Sequence, residues 1–450
     1  MVFKMKKKVI IIGALGYDFH VFNTVFRDNE EYDVIAFTIA GEQNVGTTDE
    51  AERKFPAVLA GKLYPNGIPM VSEDLLEEYI KKYEVDEVVF AYSDVSHEEV
   101  MHKASRALAA GANYRLISGR FTQLKANKPV VAICAVRTGC GKSQVSRATY
   151  RYLKSKGYKV VAIREPMPYG DLVQQNVMRF EKYEDLDKYD CTIEEREEYE
   201  PYIRQGLVIY SGVDYEKIIR EAEKEADVII FDGGNNEISF YITDLLFIVT
   251  DPLRPGHEVK YHPGEVNAKY ADIFVINKMN SAKTEDVKIV EKNLNELNPK
   301  AIKIYTNSVV KAEDPLKLKG KKVVVVEDGP TLTHGGMSIG AAYVAAKNAE
   351  AKIVDPRKFL VGSMKDVFED FPQITHIVPA MGYTDQQIED LEKTLNNVKA
   401  DIILNGSPID LTKLINANKP IIKVSYDIES IRSPTIEEVL DDFINNYLTK

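Results

Sequence analysis

An apolar stretch that runs directly into a glycine-rich turn and then into a helix constrains this chain more than any other feature. The apolar stretch is Val130–Ala135, the turn spans residues 136–141, and a helix-forming stretch covers residues 144–156. Backbone N–H groups and the dipole at the start of such a helix form an anion site. The order of strand, turn and helix is the context that a phosphate-binding P-loop requires.

The residues of this turn suit a nucleotide. Lys142 can reach the β- and γ-phosphates, and Ser143 can ligate Mg²⁺. Val136 stands where the first glycine of the motif is usual, and Arg137 places a cation inside the loop. The predicted nucleotide-binding residues here are Thr138, Gly139, Cys140, Gly141, Lys142, Ser143 and Gln144.

A second motif lies about 90 residues after the first. Residues 226–231 predict an apolar strand that ends in Asp232, which is typical of a Walker B carboxylate holding Mg²⁺ directly or through water. Asp232 and Ser143 are therefore the predicted metal ligands. Glu237 is either a residue that polarises a water or substrate hydroxyl, or a plain surface carboxylate.

A third motif, residues 274–280, is similar to the guanine-binding Asn-Lys-x-Asp of GTPases. Asn277 and Lys278 match it, but Asn280 replaces the aspartate. A carboxylate accepts from both N1–H and N2–H of guanine, and an amide cannot do so. We therefore predict ATP as the nucleotide, with GTP possible, and place Asn277 and Lys278 near the base.

Several charged side chains lie at or just after the ends of predicted strands. Arg164 and Glu165 end the strand after the P-loop helix, and Arg254 and His257 lie in a turn rich in proline and glycine. Each has a structural alternative, and His334 is either a phosphate ligand or part of a domain boundary. The candidate catalytic residues are Lys142, Arg137, Arg164, Glu165, Arg254 and His257.

Short β-branched runs alternate with helical stretches along the whole chain, which predicts an α/β fold of three-layer, parallel-sheet domains. Polar or lysine-rich stretches near residues 121–129 and 317–322 divide it into three. The prediction is a Rossmann-like N-terminal domain (1–126), a P-loop domain (127–318) and a smaller C-terminal α/β domain (319–450).

The acidic stretch 181–200 predicts a solvated helical insertion or lid. Residues 13–16 give a weak dinucleotide signature, and residues 17–20 either line a pocket or start a helix.

Composition narrows the partners and the compartment. The formal charge of −11 argues against a general nucleic-acid-binding protein. No apolar run approaches the roughly 18 residues of a membrane span, and the basic start lacks the form of a signal peptide, so the cytosol is expected. The three cysteines are too few and scattered for a disulfide framework or a zinc site.

Two further stretches, residues 250–258 and 326–337, carry a resemblance when taken with residues 137–143. Together they resemble the archaeal cyclic 2,3-diphosphoglycerate synthetase family, including its relatives known as predicted GTPases. The resemblance implies ATP-dependent, Mg²⁺-requiring phosphorylation of 2-phosphoglycerate, followed by closure of a phosphoanhydride. It also implies a homodimer and a small anionic phosphorylated acid as substrate.

Two other classes of function remain open at this point. One is a regulatory or maturation GTPase, whose product is a conformational change. The other is a nucleotide-sensing scaffold with little turnover. A phosphotransferase or ligase should consume ATP faster when its acceptor is present, whereas a GTPase should prefer GTP without any acceptor.

Overall fold

The computed structural model describes residues 5–13, 16–39, 53–165, 170–234, 237–333, 336–381 and 384–449. The strands are β1 Lys7–Gly13, β2 Tyr32–Ile39, β3 Lys54–Phe55, β4 Ile68–Ser72, β5 Glu87–Phe90, β6 Val95–Ser96, β7 Asn113–Leu116, β8 Val130–Ala135, β9 Val160–Arg164, β10 Val177–Phe180, β11 Ile209–Gly212, β12 Val228–Asp232, β13 Leu245–Thr250, β14 Tyr261–His262, β15 Ile273–Ile276, β16 Ile302–Ala312, β17 Lys322–Asp328, β18 Lys352–Ile353, β19 Ile377–Ala380, β20 Ile402–Asn405 and β21 Ile421–Ser430. The helices are α1 Tyr17–Val21, α2 Ala57–Ala60, α3 Leu76–Tyr83, α4 His97–Ala110, α5 Lys142–Ser155, α6 Tyr183–Lys188, α7 Ile193–Ile203, α8 Tyr215–Ala222, α9 Gly264–Tyr270, α10 Thr284–Leu297, α11 Gly329–Leu332, α12 Ala341–Asn348, α13 Ser363–Asp370, α14 Asp385–Asn397, α15 Leu411–Leu414 and α16 Ile436–Phe443.

The N-terminal part forms its own sheet with the order β3-β4-β2-β1-β5-β7. β1 lies inside it and pairs in parallel with β2 and β5. Its residues Val9, Ile10, Ile11 and Ile12 are fully buried, as expected for a parallel strand covered on both faces. The α/β class predicted from the alternating pattern is confirmed.

β8, which leads into the glycine-rich turn, lies between β12 and β13 in the second sheet. These strands, together with β9 and β15, are parallel, so their carboxyl ends meet at one edge. Ligands of open parallel α/β sheets bind at that edge. β12, β13 and β15 end at Asp232, Thr250 and Ile276. They therefore bring the predicted motifs at their carboxyl ends to the glycine-rich turn.

The second sheet does not stop at the predicted boundary near residue 318. The first residues of β16 pair in parallel with β15, and the rest, from Thr306 to Ala312, pair antiparallel with β21. β21 in turn pairs with β20 of the C-terminal part. One continuous sheet thus joins the P-loop domain to the C-terminal domain, and the sequence pattern did not predict β16.

The acidic stretch 181–200 is helical, as predicted, but it is largely exposed only over its first half, residues 181–190. It forms α6 and most of α7, and Glu195, Glu197 and Glu200 are buried. The Glu200 carboxylate accepts a hydrogen bond from the backbone N–H of Asp410, 2.9 Å away in the C-terminal domain. Because buried carboxylates need such partners, the packing of that domain over α7 explains the burial.

Residues 17–20 begin α1, and this helix packs against the P-loop domain. His20 is buried, stacks on Phe240 at 4.1 Å between ring centroids, and bonds through Nε2 to the carbonyl of Thr122 at 2.9 Å. Burial lowers the pKa of His20 to about 3.

Ala14 and Leu15 of the predicted dinucleotide signature lie outside the described residues. Across the described parts of the chain, no helix is both long and apolar enough to span a membrane.

Candidate nucleotide-binding site

The glycine-rich turn leads into α5 without a side-chain cap. Gly141 is the N-cap residue, with φ +110°, and the Gln144 N–H donates to its carbonyl at 3.1 Å. The N–H groups of Lys142 and Ser143, which the described residues do not bond, are left for another acceptor. A Cβ on Gly141 would lie 2.3 Å from Nδ2 of Asn277, so glycine is required for this close approach. The helix start is thus built as an anion site, as the sequence predicted.

Three side chains donate hydrogen bonds to backbone carbonyls of the glycine-rich loop. Nδ2 of Asn277 donates to the Cys140 carbonyl at 2.9 Å, and Nζ of Lys278 donates to the Gly139 carbonyl at 2.7 Å. A guanidinium nitrogen of Arg254 donates to the carbonyl of Thr138, also at 2.7 Å. Three successive carbonyls are therefore turned away from the phosphate side. Asn277 and Lys278 were predicted to lie near a base; their observed contacts shape the loop, and a contact with the base stays a prediction.

Asp251 connects two of these cations. Its Oδ2 accepts from Nζ of Lys278 at 2.8 Å and from Arg254 at 3.1 Å. Burial opposes ionisation of this carboxyl, but Lys278 and Arg254 hold its pKa below the ordinary value. Sequence reasoning included Asp251 in a motif without giving it a role; its position at the end of a parallel strand was the available signal.

Arg137 points to the N-terminal domain. Its Nε donates to Oδ1 of Asp94 at 2.8 Å, a terminal nitrogen bonds to Nδ1 of His257 at 2.9 Å, and the guanidinium lies 3.7 Å from the ring centroid of Tyr261. Asp94 also accepts from the backbone N–H of Thr138 at 3.3 Å. Burial and the charge of Arg137 lower the pKa of His257 to about 4. Arg137 and His257 are brought together, and Asp94, which sequence reasoning missed, links them to the neighbouring domain.

Asp232 and Arg164 are also brought together. The fully buried Asp232 accepts through Oδ1 from Ser146 at 2.9 Å, and through Oδ2 from Arg164 and from the hydroxyl of Tyr202, both at 2.8 Å. Arg164 forms a second ion pair, with Glu198. Arg164 therefore neutralises the carboxylate that was predicted to hold a metal.

This arrangement bears on Mg²⁺. Both oxygens of Asp232 already accept hydrogen bonds, so the carboxylate does not fit a direct metal ligand in the observed geometry. Within the described ranges, no group of three or more His, Cys, Asp or Glu residues is placed to hold an ion. Mg²⁺ in nucleotide sites is often held by phosphates and waters with few protein ligands, and the partly exposed Ser143 fits such a role. Mg²⁺ stays a prediction.

Lys142 is 6% exposed, and Nζ makes no hydrogen bond or ion pair with a residue that the structure describes. Gln144 donates through Nε2 to the Ser308 hydroxyl at 3.0 Å. Glu165 is buried beside Gly234, where an added Cβ would lie 3.1 Å from the Glu165 side chain. The rest of the turn after Glu165, residues 166–169, and Asn235, Asn236 and His334 lie outside the described residues.

Two residues left open by the sequence have defined contacts. Asn280 donates through Nδ2 to the Ser308 carbonyl at 2.9 Å and accepts from the Ser308 N–H at 3.2 Å, so it binds strand backbone. Glu237 is buried and accepts from the hydroxyl of Ser93 at 2.7 Å. The interpretation of Glu237 as a surface carboxylate is therefore wrong.

Comparison with known proteins places this site in a family. The chain is 55% identical over 444 residues to arginine synthetase ArcE of Thermococcus kodakarensis, and the match covers 98% of each chain. The chain belongs to the family of this arginine synthetase. It is also 24% identical over 350 residues to cyclic 2,3-diphosphoglycerate synthetase of Methanothermus fervidus, covering 69% of this chain and 73% of that protein. No family model matches the chain.

The wider family predicted from the motifs is thus confirmed, whereas the particular activity implied by the resemblance is not. Both relatives are synthetases and come from archaea, so the chain is an enzyme of the ATP-dependent ligase type. Among solved structures, LpxK of Aquifex aeolicus with ATP aligns over 71% of this chain and 90% of its own, with 13% identity and a TM-score of 0.43. HypB of Archaeoglobus fulgidus aligns over 47% of this chain and 89% of its own, with 16% identity and a TM-score of 0.26.

Proposed function

We propose that this protein is an ATP-dependent synthetase whose product is arginine. The observation that carries the proposal is the 55% identity to an arginine synthetase over nearly the full length of both chains. The glycine-rich loop, the uncapped start of α5 and the buried Lys142 provide the site for the nucleotide phosphates. ATP is the proposed nucleotide.

The charges around this loop support a product that carries a cationic group. The candidate catalytic arginines are already paired with carboxylates, Arg164 with Asp232 and Arg254 with Asp251. Glu198, which pairs with Arg164, also lies close enough to Lys142 and to Asp328 for their charges to interact, and its side chain is 29% exposed. Carboxylates are the usual partners of a guanidinium.

The chemistry of such a reaction follows from the structure of arginine. Its ureido analogue, citrulline, carries an oxygen where arginine carries a terminal nitrogen. Transfer of the γ-phosphoryl group to that oxygen releases ADP and creates a phosphate leaving group. Ammonia then attacks the same carbon, phosphate leaves with one of the ammonia protons, and the guanidinium remains. Lys142 offsets the negative charge on the transferred phosphoryl group. Such electrostatic stabilisation is a main contribution of an enzyme to phosphoryl transfer.

A direct test measures ATP and GTP consumption with three mixtures: citrulline with ammonia, 2-phosphoglycerate alone, and no acceptor. Phosphorus NMR follows the phosphate products, and amino-acid analysis detects arginine. We expect ADP, phosphate and arginine only with ATP and the first mixture. A new phosphoanhydride from 2-phosphoglycerate would instead support the cyclic 2,3-diphosphoglycerate synthetase activity, and acceptor-independent GTP hydrolysis would support a GTPase.

The homodimer implied by the family resemblance is also kept as a proposal. Light scattering coupled to size-exclusion chromatography tests it directly, because the chain mass of 50.8 kDa separates a monomer clearly from a dimer. A monomer at the concentration of the activity assay would contradict it.

A further inference from the structure

Arg147 is a buried cation that the nucleotide loop does not use. It lies in the second turn of α5 and is 7% exposed. Its guanidinium lies 5.7 Å from the ring centroid of Tyr426, and it makes no hydrogen bond or ion pair with the residues that the structure describes. A largely buried charge without a paired group is costly, so this guanidinium is available to an anionic ligand.

The next arginine on the same helix has a different environment. Arg151 follows Arg147 by one turn and faces the same strand, β21. One of its terminal nitrogens donates to both carboxylate oxygens of Asp427, at 2.7 and 2.8 Å, and the other donates to Gln205 at 2.9 Å. β21 therefore supplies an acceptor for Arg151 and an aromatic ring for Arg147.

The position of Arg147 relates it to the phosphate site. It follows Ser143 by four residues, so the two side chains share a helix face, about 6 Å apart along the axis. Burial raises the pKa of the Tyr426 phenol to about 12, while the positive charge of Arg147 opposes the rise. Asp328 and Glu198 also act on this phenol. Glu197 of α7 acts on it as well, so one cation and three carboxylates lie within electrostatic range of Tyr426, between α5, α7 and the end of β17.

We infer that Arg147 binds the α-carboxylate of the amino-acid substrate, and that the carboxylates near Tyr426 attract its nitrogen-bearing side chain. The inference rests on the proposed function and assigns the ligand of this buried guanidinium. A free amino acid with a guanidinium or ureido end has one carboxylate and several N–H donors, and the cluster around Tyr426 is its complement. A guanidinium and a carboxylate form strong, charge-assisted hydrogen bonds.

The test compares arginine with agmatine, which has the same guanidinium end but lacks the carboxylate. Isothermal titration calorimetry measures arginine, agmatine, citrulline and ATP, each separately, on the wild type, on Arg147→Gln and on the matched control Arg151→Gln. We expect the wild type to prefer arginine, and Arg147→Gln to weaken arginine binding by about 10- to 100-fold. Agmatine and ATP binding should stay unchanged in this variant, and Arg151→Gln should retain the preference for arginine.

The outcomes separate this inference from the proposed function. If the wild type binds neither arginine nor citrulline, the proposed function fails. If the wild type binds arginine and Arg147→Gln still prefers it to agmatine, the assignment of Arg147 is overturned while the proposed function stands. A parallel loss of ATP affinity would also overturn the assignment, because Arg147 would then serve the nucleotide. Arg147→Lys keeps the charge and should recover part of the preference for arginine over agmatine. This recovery would show that the loss in Arg147→Gln comes from the missing charge and not from misfolding.

Discussion

Arg164 and Asp232 face each other across two neighbouring parallel strands, with 2.8 Å between a guanidinium nitrogen and Oδ2. Both are buried, and each lies at the carboxyl end of its strand. The sequence singled them out separately, one as a catalytic cation and one as a metal ligand. Their pairing means that each supplies the buried counter-charge of the other.

Arg164→Gln should destabilise the protein strongly, because it leaves the Asp232 carboxylate buried without its cation. We expect the free energy of unfolding to fall by about 3–5 kcal/mol, measured by urea denaturation. The double variant with Asp232→Asn removes both charges and should recover part of that loss. If the losses of the two single variants simply add in the double variant, the pair is not coupled and this interpretation is wrong.

Lys142→Ala should abolish ATP-dependent turnover and leave the fold intact. The reason is that the ammonium offsets charge on the transferred phosphoryl group, a contribution of about 10²- to 10³-fold in rate. The measurement is ATP consumption, with circular dichroism to verify folding. Lys154→Ala, at the other end of the same helix and exposed, serves as control. Full activity in Lys142→Ala would disprove the role of the loop.

Arg254→Ala tests whether this arginine serves the loop or the acceptor. The sequence made it a candidate catalytic residue, whereas its hydrogen bond to the Thr138 carbonyl supports a role in the loop. We expect ATP binding to weaken by about 10-fold, from the loss of one charged hydrogen bond, with KM for the acceptor nearly unchanged. A larger effect on the acceptor would restore the original assignment.

Asn280→Asp should leave the ratio of ATP to GTP affinity unchanged, because the amide binds the backbone of Ser308. The aspartate cannot donate to the Ser308 carbonyl, so the free energy of unfolding should fall by about 0.5–1.5 kcal/mol. Fluorescent nucleotide titrations and urea denaturation measure the two effects. A shift towards GTP would mean that residue 280 contacts the base after all.

His20 should make the stability depend on pH in the acid range. Its pKa in the folded protein, about 3, is below the ordinary value of 6.5, so the unfolded chain binds the proton first. The stability it contributes is complete above pH 6.5 and falls with decreasing pH until about pH 3. Compared with His20→Gln, the wild type should lose up to about 1.4 kcal/mol more per pH unit in this window. Equal slopes in urea denaturation would contradict a neutral, buried imidazole.

Much of the fold could be predicted because parallel strands buried on both faces are continuous apolar runs. β8 has the predicted bounds, and β12 ends at Asp232 as predicted. β16 was missed because lysine, asparagine and serine interrupt its apolar residues, and much of the strand is only partly buried. The sequence does not indicate that its second half pairs with a strand more than 100 residues later.

The site was predicted in part for a similar reason. The glycine pattern and the strand ends identify Lys142 and Asp232 from local sequence alone. Their surroundings come from distant parts of the chain: Asp94 from the N-terminal domain contacts the loop, and Tyr426 from the C-terminal domain covers Arg147. Burial of the acidic α7 was unpredictable without knowing which domain packs against it.

The continuous sheet has a consequence for how the enzyme can be divided. The chain leaves the P-loop domain through β16, returns beside it through β21, and then packs α16 against that domain. A fragment of residues 319–450 would expose the long edge of β21 and the apolar face of α16. Such edges promote aggregation, so we expect this fragment to be insoluble alone and the two domains of the intact enzyme to melt together.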